Sequence, residues 1–240
     1  MRRRDGRSAS RHGSSRYSNR YSINRKMSTQ RYINMITAGF AALVIVYAAS
    51  FAADDPALLR PAAKTLPVLF LSICAWRAGG SGISFVPAAL LLSSMGDLAG
   101  DLHAFLWQIG LFAAAHTAYI ATFCRRRRAT RGAVIFVVML ALAAAALAVY
   151  FISHIGDTTE KIFIAIYIAV ITCMCATAAL QQSRYRALYA AAALVFIFSD
   201  ACIAWNKYVE PIPHAAVWIM STYFAAQYTI ARLYIRERLG

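Results

Sequence analysis

The sequence predicts an all-α polytopic membrane protein, a bundle of about eight transmembrane helices with both termini in the cytoplasm. The chain is 60% hydrophobic and only 15% charged, whereas soluble domains average roughly 45–50% apolar and about 25% charged residues. The charged residues are clustered, so long stretches of the chain carry almost no charge. These stretches repeatedly approach the length of about 20 apolar residues that a helix needs to cross a bilayer. The alternating polar pattern of an outer-membrane barrel is absent.

Eight apolar segments are candidates for the membrane helices. We place them at about 33–53, 62–77, 83–100, 104–123, 132–152, 161–180, 187–205 and 215–235. On the third helix Gly96 and Gly100 are four residues apart, a spacing of small residues that allows another helix to approach closely. The fifth helix contains four consecutive alanines and few polar residues, which favours a scaffolding role.

These segments divide the chain into three regions. We predict a disordered basic cytoplasmic tail over 1–32, an eight-helix transmembrane domain over 33–235 and a short cytoplasmic C-terminus over 236–240. The tail is rich in Arg and Ser, and it is too long and too polar for the charged region of a signal peptide.

The distribution of basic residues predicts the orientation, because cytoplasmic loops of membrane proteins carry an excess of Lys and Arg. All 25 such residues except Arg60, Lys64, Lys161 and Lys207 fall in the N-terminal tail, the C-terminal end, or the loops after helices 2, 4 and 6. Both termini are therefore expected in the cytoplasm, in a bacterial inner membrane or other cell membrane. The same distribution accounts for the net charge of +15 without nucleic acid as a partner.

Two carboxylates interrupt the apolar segments: Asp97 on the third helix and Asp200 on the seventh. A charged side chain inside the membrane costs roughly 2.5–3.5 kcal/mol on insertion scales, so such residues usually have a function. Both helices run outward, which places both aspartates in the outer third of the bilayer. Lys64 begins the second helix on the same side. Three ionisable groups at a similar depth predict a single polar pocket.

Further polar residues approach this depth from helices that run inward. They are His116, Tyr119, Tyr167 and Tyr223. Each also has a purely structural interpretation, since tyrosines populate the membrane interface and a buried histidine can bond to a backbone carbonyl. Lys64 can likewise extend along the helix to the interface, and the aspartates can face headgroups at helix ends.

The sequence predicts no metal site and no cofactor. The five cysteines are scattered, and their spacing matches neither a disulfide framework nor a zinc site. The candidate oxygen and nitrogen ligands also match no metal-binding motif. They are Asp97, Asp101, His103, His116 and Asp200.

Short motifs on helices 2 to 8 carry a resemblance to a known family. In chain order they are KTLPVL at Lys64, GD at Gly96 and Asp97, AHxxY ending at Tyr119, IAIYIAVI around Tyr167, SD at Ser199 and Asp200, and TYxxAQ ending at Gln227. The chain resembles the YhhN-like membrane proteins, whose characterised members are lysoplasmalogenases. The family usually has Lys and Pro adjacent in helix 2, whereas Lys64 and Pro67 are separated here. The long basic tail is also outside the family pattern.

The resemblance implies hydrolysis of the vinyl ether bond of a lysoplasmalogen, lysoplasmenylcholine or lysoplasmenylethanolamine, to a fatty aldehyde and a glycerophospho-alcohol. Cleavage of an enol ether begins with protonation at carbon and produces an oxocarbenium ion. The acid must keep its proton near neutral pH, and burial favours the neutral form of a carboxyl group. One of Asp97 and Asp200 would be this acid. The other, ionised, would stabilise the cation or activate water, as carboxylate pairs do in glycoside hydrolysis.

The remaining motif residues have supporting roles under this resemblance. Lys64 would pair with the ionised aspartate or bind the lipid phosphate. The residues expected to orient water or shape the pocket are His116, Tyr119, Tyr167, Tyr223 and Gln227. The expected partners are a lysophospholipid substrate and membrane lipids, and the oligomeric state is open.

Two other functions remain open on the residues alone. The chain could be a multipass transporter that uses the aspartates as proton or cation sites, or a non-catalytic structural membrane protein with each aspartate in a salt bridge. A closed pocket with one lateral entrance from lipid favours the enzyme. A pathway that opens to both membrane faces favours the transporter.

Overall fold

The computed structural model of the chain describes residues 8–52, 56–79, 85–125 and 127–240. Within these ranges the protein is helical, with eight α-helices, one short 3-10 helix and no β-strand. The α-helices are α1 (Ser8–Ala49), α2 (Pro56–Gly79), α3 (Val86–Asp101), α4 (Phe105–Phe123), α5 (Arg131–His154), α6 (Thr158–Leu180), α7 (Arg186–Tyr208) and α8 (Ala215–Leu239).

The predicted all-helical class is confirmed, and the helices from α2 to α8 lie where the apolar segments place them. Helix α1 differs, because it begins at Ser8 rather than near residue 33. The segment 8–32 contains no proline and one glycine, and its Arg and Ser residues cost well under about 1 kcal/mol each in a helix. The helix therefore extends through most of the segment that we predict to be a disordered tail. Residues 1–7 lie outside the described residues, and the three-region division stays a prediction.

Among the described residues, four helices are long and apolar enough to cross a membrane by length and composition. They are the part of α1 from Met27 to Ala49, and α5, α6 and α7. The surface of α5 is almost entirely apolar and exposed, with Ile135, Leu142 and Val149 facing outward. An apolar exterior of this extent fits a protein whose solvent is lipid.

The helices pack so that α3 lies between α2 and α4, and α8 lies against α7 and α2, while α5 packs from outside on α6 and α7. The predicted close approach at the small residues of α3 is confirmed. A Cβ atom on Gly96 would lie 3.1 Å from the ring of Phe112, and one on Gly100 would lie 2.6 Å from the side chain of Gln108. Both neighbours belong to α4, so the two glycines let α4 pack directly on α3.

The basic loops after α4 and α6 lie together at one end of the bundle. The loop after α4 bonds to the end of α6, where the backbone N–H of Arg128 donates to the carbonyl of Leu180 over 2.7 Å. Glu237 near the C-terminus accepts a hydrogen bond from Ser183 in the loop after α6. Thr29 of α1 donates to the carbonyl of Leu239 over 3.1 Å. The loops after α4 and α6, the C-terminal end of the chain and the part of α1 at Thr29 are therefore neighbours in the fold.

Candidate functional site

Asp97 is buried on α3 and bonded to α8. The hydroxyl of Tyr223 donates a hydrogen bond to Asp97 Oδ2 over 2.7 Å, and both side chains are almost completely inaccessible. The glycine that precedes Asp97 lets α4 cover this carboxyl closely. The first predicted site residue therefore lies in the protein interior rather than at a helix end facing headgroups.

Asp200 lies on α7 and is bonded to α6. The hydroxyl of Tyr167 donates a hydrogen bond of 2.5 Å to Asp200 Oδ2. The same hydroxyl lies 2.9 Å from Nε2 of His116 on α4, and that nitrogen is 3.7 Å from Asp200 Oδ2. The side chain of His116 is completely buried, whereas that of Asp200 is 12% exposed. Three helices thus meet at one carboxyl group.

Asp200, Tyr167 and His116 form a series of two hydrogen bonds, and the donor in each bond depends on where the protons are. A tyrosine hydroxyl has one proton, so when Tyr167 donates to Asp200 its oxygen must accept from His116 Nε2–H. When the proton is on Asp200 instead, each bond can reverse, with Asp200 donating to Tyr167 and Tyr167 donating to His116. His116 Nδ1 is buried without a hydrogen-bond partner among the described residues. The direction of both hydrogen bonds therefore depends on whether Asp200 carries a proton.

An aromatic layer joins the two aspartate–tyrosine pairs. The Tyr223 ring makes edge contacts with Phe112 at 5.8 Å and with Phe196 at 5.4 Å between centroids. Phe196 in turn makes an edge contact with His116 at 4.8 Å. These contacts connect the Asp97–Tyr223 pair to the Asp200–Tyr167 pair through Phe196 and His116, so both aspartates belong to one cluster.

A cavity of about 240 Å³ lies between α4, α5, α6 and α7. Its wall is largely apolar, with Ile164, Ile168, Leu194 and Ile197 among the lining side chains. Asp200 and Tyr167 also line it, as does Phe112 from the aromatic layer. Neither Asp97 nor Tyr223 reaches the wall, so the two carboxyls do not share one cavity surface. The cavity presents one carboxyl group in a largely apolar wall.

Helix α5 forms one side of this cavity through Leu140, Ala144 and Leu147. The sequence favours a scaffolding role for α5, because its alanines and leucines carry no polar signal. The structure shows that this helix also shapes the cavity. Apolar residues that line a pocket cannot be distinguished by type from apolar residues that face lipid, and only their rotation about the helix axis separates them.

Lys64 pairs with a carboxylate that the sequence interpretation left out of the site. Its Nζ lies 2.8 Å from Oδ1 of Asp101, the last residue of α3. The position of Asp101 one helical turn after Asp97 is the signal that it shares a face with the site. Lys64 therefore bonds to neither Asp97 nor Asp200.

Tyr119 and Gln227 form a separate buried contact. The Tyr119 hydroxyl donates to Gln227 Oε1 over 2.7 Å, and both side chains are completely buried. This bond joins α4 to α8, and neither residue lines the cavity. The structure thus brings His116, Tyr167 and Asp200 together at the cavity and places Tyr119 with Gln227 in the packing between two helices.

The described residues contain no group of three or more His, Cys, Asp or Glu side chains that could bind a metal ion. His116 and Asp200 lie close together, and Asp200 is also bonded to the hydroxyl of Tyr167.

Comparisons with known proteins identify relatives over most of the chain. Lysoplasmalogenase TMEM86B of Sus scrofa is 32% identical over 181 residues, which cover 74% of this chain and 76% of the relative. A protein of Mycobacterium tuberculosis named lysoplasmalogenase is 31% identical over 183 residues, covering 72% and 69%. Lysoplasmalogenase TMEM86A of Bos taurus is 29% identical over 215 residues, covering 83% and 88%. No solved structure matches the chain.

The family comparison covers the helices that build the cluster. The model of the YhhN family matches residues 59–234, which run from α2 to α8 and include both aspartates and all of the cavity wall. The resemblance in the motifs, the relatives and the family model agree, and the chain belongs to the YhhN family.

Proposed function

We propose that the protein is a membrane hydrolase that cleaves the vinyl ether bond of lysoplasmalogens to a fatty aldehyde and a glycerophospho-alcohol. The observation that carries this proposal is a carboxyl group, Asp200, in the largely apolar wall of a cavity between the helices. The names of the relatives support the substrate class. Because a lysophospholipid resides in the bilayer, an apolar cavity within a helix bundle suits its alkenyl chain.

Asp200 is the acid in this proposal, since it is the carboxyl that lines the cavity. Its proton is transferred to the vinyl ether carbon that is remote from the ether oxygen. The electron pair of the double bond forms the new C–H bond, which leaves positive charge shared between the other carbon and the oxygen. The product of this step is an oxocarbenium ion beside the Asp200 carboxylate, and proton transfer by a positioned side chain typically contributes 10²–10⁴-fold to a rate.

Water then adds to the cation. The Asp200 carboxylate accepts a proton from the attacking water as the new C–O bond forms, which restores the acid and yields a hemiacetal. The hemiacetal breaks its bond to the glycerol oxygen, with one proton moving to that oxygen, and releases the aldehyde and the glycerophospho-alcohol. The cycle consumes one water molecule, and the same group acts first as acid and then as base, as in retaining glycosidases.

Asp97 supports the site without contacting the reacting atoms, because it does not line the cavity. Its proposed role is to hold Tyr223 against Phe112, whose side chain lines the cavity. Tyr223 positions Asp97 through its 2.7 Å hydrogen bond.

Tyr167 and His116 position Asp200. The hydrogen bonds from Tyr167 to Asp200 and between Tyr167 and His116 can reverse when Asp200 gains or loses a proton. His116 is therefore proposed to orient the Tyr167 hydroxyl, which in turn orients the Asp200 carboxyl. Lys64 neutralises Asp101, so that these two charges can remain near the site.

In the proposed topology all eight helices cross the membrane and both termini are cytoplasmic. The even number of helices and the position of the basic loops after α4 and α6 at one end of the bundle support this orientation. The relatives come from mammals and mycobacteria, so they favour no particular source membrane.

The test is aldehyde release by the purified protein in detergent micelles. Three lysophospholipids that differ only at the sn-1 position should be compared: the 1-alkenyl, the 1-alkyl and the 1-acyl forms. The proposal predicts aldehyde from the alkenyl form alone. Release of fatty acid from the acyl form at a similar rate would indicate an esterase. No aldehyde, together with proton flux on adding lipid to proteoliposomes, would indicate the transporter.

A further inference from the structure

A polar cluster lies where α6 begins and α7 ends, outside the site described above. Lys207 Nζ is 2.8 Å from Oε1 of Glu160, and the hydroxyl of Tyr208 donates to Oε2 of the same residue over 2.7 Å. Lys207 also lies over the ring of Phe105, with Nζ 3.4 Å from the ring centroid. The cluster therefore combines a cation, an anion and two aromatic rings.

The position of the cluster relative to Asp200 follows from helix geometry. Glu160 precedes Tyr167 by seven residues on α6, and Lys207 follows Asp200 by seven residues on α7. Seven residues are two helical turns, so each pair shares a helix face and is separated by roughly 10 Å along the axis. Helices α6 and α7 are thus joined twice. The Lys207–Glu160 ion pair joins them at the end of the bundle, and the Tyr167–Asp200 hydrogen bond joins them two turns further into the bundle.

The cavity connects the two levels. Its lining includes three residues at or near the level of Lys207 and Glu160, namely Phe105, Ile164 and Ala204. A molecule that reaches Asp200 through this cavity therefore passes the ring on which Lys207 rests.

We propose that Lys207 and Glu160 form the headgroup site for a zwitterionic lysophospholipid, with Lys207 binding its phosphate and Glu160 binding its ammonium group. This inference rests on the proposed function, because it identifies the headgroup end of the substrate whose vinyl ether reaches Asp200. Charge-assisted hydrogen bonds suit the phosphate oxygens. The faces of Phe105 and Tyr208 suit a methylated ammonium group that cannot donate hydrogen bonds.

The dimensions of the substrate fit this placement. About seven bonds separate the protonated vinyl carbon from the phosphorus atom, and an extended chain advances roughly 1.2 Å per bond, or about 8 Å in total. A contact of about 3 Å at each end extends this span to about 14 Å. The axial rise between Asp200 and Lys207 is roughly 10 Å, and the lengths of the two side chains add to it. A headgroup at Lys207 would therefore leave the vinyl ether beside Asp200.

Lys207 and Glu160 can separate from each other and bind the headgroup at a low cost in free energy. The side chains of Lys207 and Glu160 are 34% and 27% exposed, so a headgroup can reach them from the interface. Exposed ion pairs contribute only about 0–1 kcal/mol to stability. The charges of the headgroup complement both members of the pair, so each finds a partner of opposite sign when the pair opens.

The test compares substrates with and without a headgroup. Lys207→Met should raise KM for lysoplasmenylcholine about tenfold or more, because it removes a charge-assisted bond to phosphate, and should leave kcat within about twofold. Turnover of 1-alkenylglycerol, which lacks the phosphate, should not change. Lys207→Arg keeps the charge and should retain most of the affinity. The matched control is Lys161→Met, which removes the lysine that follows Glu160 in the first turn of α6 and should leave KM unchanged.

A binding arm separates failure of this inference from failure of the proposed function. The probe is 1-alkyl-lysophosphocholine, which has no vinyl ether, titrated into the detergent-solubilised protein by calorimetry. Weaker binding to Lys207→Met and to Glu160→Gln, with no aldehyde release by the wild type, would support the headgroup site and reject the reaction. Unchanged Kd and KM in both variants would overturn the headgroup site, whatever the wild type hydrolyses.

Discussion

The hydroxyl of Tyr167 on α6 donates a 2.5 Å hydrogen bond to Asp200 on α7. This contact orients the carboxyl that lines the apolar cavity, and it connects that carboxyl to a completely buried histidine on α4. An acid that must deliver its proton to one carbon atom needs such a restraint, because catalysis depends on the geometry of the reacting groups.

Replacement of Tyr167 by Phe should lower kcat for vinyl ether cleavage by about 10- to 100-fold, since general acid catalysis by a well-positioned group contributes roughly 10²–10⁴-fold and part of it remains. The ring is retained, so the cavity keeps its shape. The measurement is steady-state aldehyde release together with the pH profile of kcat. A purely structural role for the hydroxyl would lower thermal stability and leave the pH profile unchanged.

The matched control for this variant is Tyr228→Phe. Tyr228 shares a 2.5 Å hydrogen bond with Thr37 between α8 and α1 and does not line the cavity. Its loss should cost about 0.5–1.5 kcal/mol of stability without affecting kcat. Equal loss of activity in the two variants would mean that the Tyr167 effect is a general loss of folding.

Replacement of Gly96 by Val should destabilise the protein and distort the site. Its Cβ would lie 3.1 Å from the Phe112 ring, and overpacking of a filled interior typically costs about 1–3 kcal/mol. Because Phe112 lines the cavity and contacts Tyr223, activity should fall as well. Thermal unfolding in detergent gives the first quantity, and aldehyde release gives the second.

Gly132→Ala provides the comparison for Gly96→Val. A Cβ at this position meets no atom within 4 Å, and alanine is favoured over glycine in a helix by about 1 kcal/mol. The variant should be as stable as the wild type or more stable, with full activity. A stability loss equal to that of Gly96→Val would contradict the account of the packing between α3 and α4.

Filling the cavity from α5 should block the substrate. Ala144→Phe places a ring where the alkenyl chain is proposed to lie, and a misfit of even one methylene in such a pocket is worth about 1–3 kcal/mol. We expect kcat/KM for long-chain substrates to fall about tenfold or more. Ala145 is exposed on the same helix and does not line the cavity, so Ala145→Phe should leave kcat/KM unchanged. Similar losses in the two variants would argue against this cavity as the substrate site.

The proposed orientation predicts which loops are accessible from each membrane face. An engineered cysteine at Gly156, between α5 and α6, should react with an impermeant maleimide added outside intact cells. One at Gln182, between α6 and α7, should react only after the membrane is permeabilised. The experiment needs a background in which the five native cysteines are replaced. The reverse labelling pattern would show that the bundle has the opposite orientation in the membrane.

Several features of the fold could be predicted because they depend on residue types and their spacing within one helix, and not on contacts between helices. Long apolar runs predict the helices, and the membrane cost of a carboxylate singles out Asp97 and Asp200 without any knowledge of packing. The spacing of Gly96 and Gly100 likewise predicts a close helix contact, because small residues on one face allow it in any arrangement.

The pairing of residues between helices could not be predicted, because it depends on the rotation of each helix about its axis. Nothing in the sequence decides that Tyr167 bonds to Asp200 while Tyr223 bonds to Asp97. The partner of Lys64 depends on the relative positions of α2 and α3 in the same way. The early start of α1 also escaped prediction, since a polar segment without proline has only weak preferences of its own.

The most direct test of the central claim is kcat for aldehyde release from lysoplasmenylcholine by purified Asp200→Asn, beside the wild type and Glu210→Gln. Asparagine keeps the size of the side chain but cannot supply the proton. Glu210 is an exposed carboxylate that does not line the cavity. The account predicts that Asp200→Asn binds 1-alkyl-lysophosphocholine normally and loses about 10²–10⁴-fold in kcat, with Glu210→Gln unchanged. A folded Asp200→Asn variant with the kcat of the wild type would contradict it.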